Sequence, residues 1–189
     1  AQSPKAVPAA SANAPRQGAG HGATCTALIT LEPLPPFRLD LTALALQRRR
    51  NNEIDVWDGS TLRRVMPASA SGGALDSPFL LEVTRARGEP GRGLSERLEA
   101  RVTGTASVAA LAAGGERAAR DLLGLDLDLS EFYALAAADE HLAPLAARLR
   151  GLKPPRYPGP FEGLVNAVPC QQMTLTFGLQ LVARLARAY

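Results

Sequence analysis

The residues of this chain best suited to a specific task are two adjacent amides, Gln171 and Gln172, followed by Met173 and Thr174. They lie between two apolar helical patterns. A buried amide without a partner costs about 1–3 kcal/mol. The pair therefore either sits in water at a helix junction or acts as a probe. A long neutral amide can enter a nucleic-acid groove or fill the gap left by an extruded base. Other chemistries find little support. Cys170 adjoins the glutamines, but no histidine lies near it in sequence, and it reads as a small hydrophobe. His21 and His141 are the only histidines, which argues against a Ser-His-Asp arrangement. Cys25 and Cys170 form neither a metal signature nor a disulfide framework and are expected to be reduced. The segment GEPGRG at 88–93 lacks the phosphate-loop pattern, sits between two strand patterns and reads as a hairpin loop. Asp126, Asp128, Glu131, Asp139, Glu140 and Glu162 have spacings that suit helix starts, where carboxylates meet the positive end of the helix dipole. No catalytic residue, metal or cofactor is expected from these residues.

The elements that must position the glutamines can be read from periodicity. Pro160 suits a first helical turn, and Phe161, Leu164, Val165 and Val168 recur on one helical face. Pro169 is expected to interrupt that face, and a second pattern resumes with Leu175, Leu179, Val182 and Leu185. The spacing predicts two helices meeting at a corner that presents the amides.

Upstream, residues 1–23 are rich in Ala, Pro, Ser and Gly and read as a disordered tail. Residues 24–31 read as a strand. Asp40 is expected to cap a short helix closed by Arg48, Arg49 and Arg50, which either answer the helix dipole or touch phosphate. Residues 54–57 and 61–66 flank Asp58-Gly59, a strong hairpin signal, with Trp57 packed between sheet and helix. Residues 67–77 are expected to be a flexible loop, and 78–84 and 97–104 further strands. From Ser107 the period becomes helical, with two pieces around Gly114-Gly115. A helix after Asp128 should turn Phe132 and Leu135 inward, and another from Asp139 should end at Gly151. Strands first and helices second is the order of an α+β chain.

The segments PFEGLVNAVPCQQMTLTFGLQLVARLARAY and FRLDLTALALQRRRNNEIDVWDGSTLRRVM resemble the 3-methyladenine DNA glycosylase II family of helix-hairpin-helix base-excision-repair enzymes. The resemblance spans residues 24–189, and the Phe-Glu…Gln-Gln-x-Thr run is its most specific part. It implies a small antiparallel sheet with helices on one face (24–106), then the first helices of an all-α glycosylase domain (107–189), with the boundary near 104–125. It also implies base flipping from duplex DNA and hydrolysis of the N-glycosidic bond of an alkylated or otherwise damaged base. On this resemblance Gln171, Gln172, Met173 and Thr174 form the duplex-facing wedge and Phe161 helps wall the base pocket; Lys153 and Arg156 either contact phosphate or are surface charges flanked by proline. The family's helix-hairpin-helix motif and catalytic aspartate would lie beyond Tyr189. The chain is therefore expected to be a truncated piece, inactive alone, of a monomeric enzyme of the bacterial cytoplasm and nucleoid. A non-catalytic DNA- or protein-interaction module is the alternative.

Composition is compatible with either. A formal charge of +3 and pI near 9.2 permit a nucleic-acid partner without requiring one. Aromatic residues make up 5%, so aliphatic side chains and alanine must fill the core. No run of apolar residues is long enough for a membrane span. The last two helical patterns carry apolar faces without partners in this chain, which predicts self-association.

Overall fold

A computed structural model describes residues 23–86, 96–154 and 156–188. The expected tail before Ala23 and the loop at 88–93 lie outside these residues. Among them, five strands form one antiparallel sheet in the order β1-β5-β4-β3-β2. The strands are β1 (Cys25–Leu31), β2 (Val56–Trp57), β3 (Thr61–Met66), β4 (Phe79–Arg85) and β5 (Leu98–Gly104). The helices are α1 (Leu39–Gln47), α2 (Val108–Leu123), α3 (Ser130–Ala137), α4 (Leu142–Arg148), α5 (Pro160–Gln172) and α6 (Leu175–Ala188). The α+β class expected from the order of patterns is the class observed.

Alternation along each strand decides which face is buried. Leu98, Ala100 and Val102 on β5 pair with Arg85, Val83 and Leu81 on β4, and the inward members of these pairs join Leu62 and Met66 of β3 in one core. The opposite face is solvated and carries cross-strand ion pairs, with Arg63 and Arg101 both on Glu82. The Asp58-Gly59 turn joins β2 to β3 as the spacing predicts. Asp58 Oδ1 accepts from the N–H groups of Ser60 and Thr61 at 2.9 and 2.8 Å, and Gly59 has φ +102°. These backbone bonds hold the Asp58 carboxyl far below the usual carboxylate range.

Four local expectations are corrected. Asp40 does not cap α1. Its carboxylate is engaged by Arg38, and the Leu39 N–H at the helix start donates instead to Glu96 Oε2 at 2.9 Å, a buried carboxylate from the approach to β5. A remote residue fills the role local pattern assigns to a neighbour. Arg48–Arg50 do not lie in the last turn of α1, because the helix ends at Gln47 and Arg48 turns away with φ 58°. Residues 67–77 contain a short 3₁₀ turn (Ala68–Ser71), where Ser71 is buried and its hydroxyl accepts from Leu75 N–H at 2.9 Å. Phe132 and Leu135 of α3 do not point inward; they are exposed.

The glycine pair in α2 gives the clearest physical reason for a failed expectation. Gly114 and Gly115 do not break the helix, which runs unbroken from Val108 to Leu123. They are there for close approach. A Cβ on Gly115 would fall 2.3 Å from Val102 Cγ2, and one on Gly114 would fall 2.8 Å from Ser71 Cβ. The helix lies directly on the sheet at this point, so Leu111, Ala118, Leu122 and Leu123 belong to the sheet's core.

Two glycine substitutions should therefore have opposite signs. Gly115→Ala should destabilise by about 1–3 kcal/mol through overpacking against Val102. Gly163→Ala in α5, whose new Cβ would meet only Tyr157 Cδ2 at 3.7 Å, should stabilise by roughly 0.5–1 kcal/mol. Urea unfolding midpoints of the two variants check both signs, and equal shifts would contradict this packing.

Candidate nucleic-acid interface

The glutamine corner is built by a helical hairpin. Pro160 occupies the first turn of α5, and the helix continues through Pro169 rather than stopping there. Proline at 169 removes one donor to the preceding turn, but its own carbonyl still accepts from Met173 N–H at 3.1 Å. The corner therefore falls at Met173 and Thr174. Met173 leaves helical geometry with φ −137° and ψ 173°, and Thr174 Oγ1 accepts from Phe177 N–H at 3.4 Å at the start of α6. The two helices then cross closely at Gly178, where a Cβ would meet Cys170 Sγ at 3.1 Å. Leu179, Val182 and Ala183 make up the buried side of α6.

Gln171 and Gln172 occupy the last two positions of α5, and with Met173 and Thr174 they form an exposed run. Neither amide makes a side-chain hydrogen bond among the described residues. Their polar groups are thus free to meet an incoming surface. Arg156, in the segment leading to α5, is also exposed.

Lys153 is different. Its side chain is fully buried, its Nζ donates to the Leu127 carbonyl, and its own N–H donates to Thr42 Oγ1 at 3.2 Å. Burial pushes its pKa down, with the Asp128 charge partly opposing. A side chain so placed has no surface to offer a phosphate. It ties the segment before α5 to α1 and to the turn after α2.

Phe161 lies in the first turn of α5 with 78% of its surface exposed. It stands at the edge of a cleft of about 720 Å³ between β3 and the α5–α6 hairpin, lined also by Ile54, Val65, Val165, Val182 and Leu185. Leu164 and Val168 on α5 are likewise exposed, so of the apolar stripe read from the sequence only Val165 is partly covered.

The residue that holds α5 in place is not one that the sequence analysis singles out. Arg64 of β3 is 2% exposed and points into the helical side of the sheet between Leu62 and Met66. It donates to Asp55 Oδ1 at 2.5 Å and to Glu162 Oε1 of α5. Burial alone would lower its pKa, but the Asp55 charge and the Glu162 hydrogen bond outweigh it and the net direction is upward. Glu162 therefore serves as a tether as well as a helix-start carboxylate. A signal for Arg64 exists, since strict alternation from Leu62 to Met66 puts it inward. Arg48 is a second tie. Its Nη1 lies 3.9 Å from Cys170 Sγ, and its guanidinium stands 5.6 Å from the centre of the Tyr157 ring.

Among the described residues no group of three or more His, Cys, Asp or Glu is arranged to hold a metal, and no helix is long and apolar enough to cross a membrane.

Comparison with solved structures finds a similar fold in the 3-methyladenine DNA glycosylase from Archaeoglobus fulgidus, with a TM-score of 0.59 and 20% identity. The alignment covers 82% of this chain and 48% of that one, so the chain spans about half the length of that structure. No family model and no curated protein sequence matches the chain.

Lys153 gives a pH test of its burial. Because its folded pKa lies below the unfolded value, the unfolded chain binds more protons between the two. Stability should therefore rise with pH from the folded value up to the ordinary lysine range, near 10.5. The rise should be absent from Lys153→Met, as urea midpoints measured across the alkaline range would reveal. Parallel pH profiles for the two proteins would place the lysine in water.

Proposed function

We propose that this chain is part of a base-excision DNA glycosylase and supplies the portion that engages damaged duplex DNA. The observation that carries the reading is the exposed Gln171–Gln172–Met173–Thr174 corner on a helical hairpin, in a chain whose fold resembles half of a solved 3-methyladenine DNA glycosylase. In this reading the two amides enter the duplex where a base has been extruded. Being neutral and long, they can replace the lost stacking and hydrogen bonds without carrying a desolvated charge. Met173 and Thr174 set the direction of the corner, and Phe161 at the mouth of the apolar cleft is placed to contact the extruded base. Arg156 adds phosphate affinity.

The reaction proposed for the whole protein is hydrolysis of the N-glycosidic bond of an alkylated or otherwise damaged base. The contribution proposed for the residues described here is binding and distortion of the duplex. The protein works as a monomer on DNA in the bacterial cytoplasm. A non-catalytic DNA-binding module would present the same corner and differ only in having no catalytic carboxylate to bring to the base.

Titration against duplex carrying an abasic-site analogue and against intact duplex tests the reading. Tighter binding to the abasic duplex is expected, by about tenfold if the amides recover 1–2 kcal/mol of lost contacts. A Gln171→Ala/Gln172→Ala double variant should lose that preference. Equal affinity of the unaltered chain for both duplexes would remove the basis for the wedge.

A further inference from the structure

Resting on the duplex-binding reading, we propose that the turn Arg48–Arg49–Arg50 is a second contact of the same interface, a clamp for the DNA phosphate backbone beside the glutamine corner.

Three observations support it. The first is that the arginines follow α1 and do not lie in it. The helix ends at Gln47 with no basic residue in its last turn, so all three side chains project from the turn beyond it. The Arg48 N–H donates to Leu44 O at 2.9 Å and the Arg49 N–H turns back to Gln47 O at 2.6 Å. Between these two bonds Arg48 adopts φ 58° and ψ −46°, a backbone state that side-chain-bearing residues rarely adopt. Glycine would meet that backbone demand at lower cost, so a reason for arginine is sought in its side chain.

The second observation is where that side chain goes. The Arg48 guanidinium spans from the Tyr157 ring to Cys170 Sγ. Cys170 immediately precedes Gln171. Arg48 thus fastens the turn to the last stretch of α5, and the sheet domain and the glutamine corner share one surface at this point.

The third is the charge left over. Arg49 and Arg50 are exposed, and neither pairs with a carboxylate among the described residues. The nearest acidic residue in sequence, Glu53, is taken by Arg187 of α6 through Nε at 2.7 Å and through Nη2. Most other arginines of the sheet and α2, such as Arg63, Arg64, Arg97, Arg101 and Arg120, each have a carboxylate partner. Among the described residues Arg148, Arg150, Arg156 and Arg184 also lack a carboxylate partner, but only at this turn do such arginines follow one another directly. Arginine pairs of this kind match phosphate oxygens geometrically and act without regard to base identity.

The experiment measures binding of the full chain to abasic-analogue and intact duplex over a series of salt concentrations, for four proteins: unaltered, Arg49→Ala/Arg50→Ala, Arg49→Lys/Arg50→Lys, and Gln171→Ala/Gln172→Ala. Each phosphate contact contributes about 0.9 to the slope of log affinity against log salt. The alanine pair should lower that slope by roughly 1.8 and weaken both duplexes by the same factor, about tenfold or more. The abasic preference should survive, and the lysine pair should keep most of the slope. Thermal melts of the alanine pair, unchanged from the unaltered chain, show that the fold is intact. An unchanged slope in the alanine pair overturns the clamp while leaving the wedge standing. A changed slope with no abasic preference in the unaltered chain supports the clamp and removes the glycosylase reading. No duplex binding by the unaltered chain overturns both.

Discussion

The arrangement of this molecule depends on a single buried guanidinium. Arg64 sits at an inward position of β3, where its neighbours on the same face are Leu62 and Met66. A lone cation there would cost several kcal/mol. Asp55 from the loop before β2 supplies one carboxylate and Glu162 from the first turn of α5 supplies a second, so the donors on both sides of the guanidinium find acceptors. Asp55 is itself held by Asn52, whose amide also donates to the Gln47 carbonyl at the end of α1 and whose Oδ1 accepts from the N–H groups of Ile54 and Asp55. At the other end, Asn166 Nδ2 donates to the Glu162 carbonyl at 3.0 Å. One run of polar contacts therefore passes from α1 through the sheet edge into α5. Such networks strengthen in a low-dielectric interior and fix geometry more sharply than apolar contact does.

The dependence matters because apolar burial does little to orient α5. Its stripe of Phe161, Leu164 and Val168 is exposed, and its only buried residue is Asn166. Position comes instead from three polar or close-packed ties: Arg64 to Glu162, Arg48 to Tyr157 and Cys170, and the segment 151–153. In that segment Gly151, at φ 94°, lets its carbonyl accept from Arg38 N–H at 2.8 Å. A side chain there would collide with the Arg38 backbone, since the new Cβ would lie 3.0 Å from Arg38 Cγ and 3.1 Å from its nitrogen. The α5–α6 hairpin is thus aimed by directional contacts at its base while its outer face stays uncovered.

Much of this is legible in the sequence, and the division tracks physical range. Alternation marks the strands and their buried faces, the Asp58-Gly59 turn marks the β2–β3 hairpin, and Gly151 reads as a helix stop. All of these are short-range signals. The corrections concern residues whose role is decided by a partner far along the chain. Gly114-Gly115 resembles a break because the contact that requires the pair, Val102 on β5, is invisible locally. Lys153 resembles a surface cation because proline flanks suggest exposure, whereas Leu127 and Thr42 close over it. Asp40 resembles a cap because Glu96 is more than fifty residues away. Of the interface, the exposed glutamines are legible from residue type and position. The arginine turn is legible only as an ambiguity, and the structure adds that all three arginines lie beyond the end of α1 at Gln47.

Charge and neutrality divide the labour in the proposed interface. A neutral amide contributes almost nothing to the long-range attraction between protein and duplex, because that term scales with phosphates neutralised. It can contribute to discrimination, because its hydrogen bonds are satisfied only where a base has left the stack. Arginine at an exposed turn has the complementary profile, since it raises affinity for any duplex and reads nothing. A surface with arginines alone would bind undamaged DNA as well as damaged, and one with glutamines alone would rarely find its target at physiological salt. Arg48 resolves the mechanical problem this division creates. By touching both Tyr157 and Cys170, it sets the cationic turn beside the end of α5.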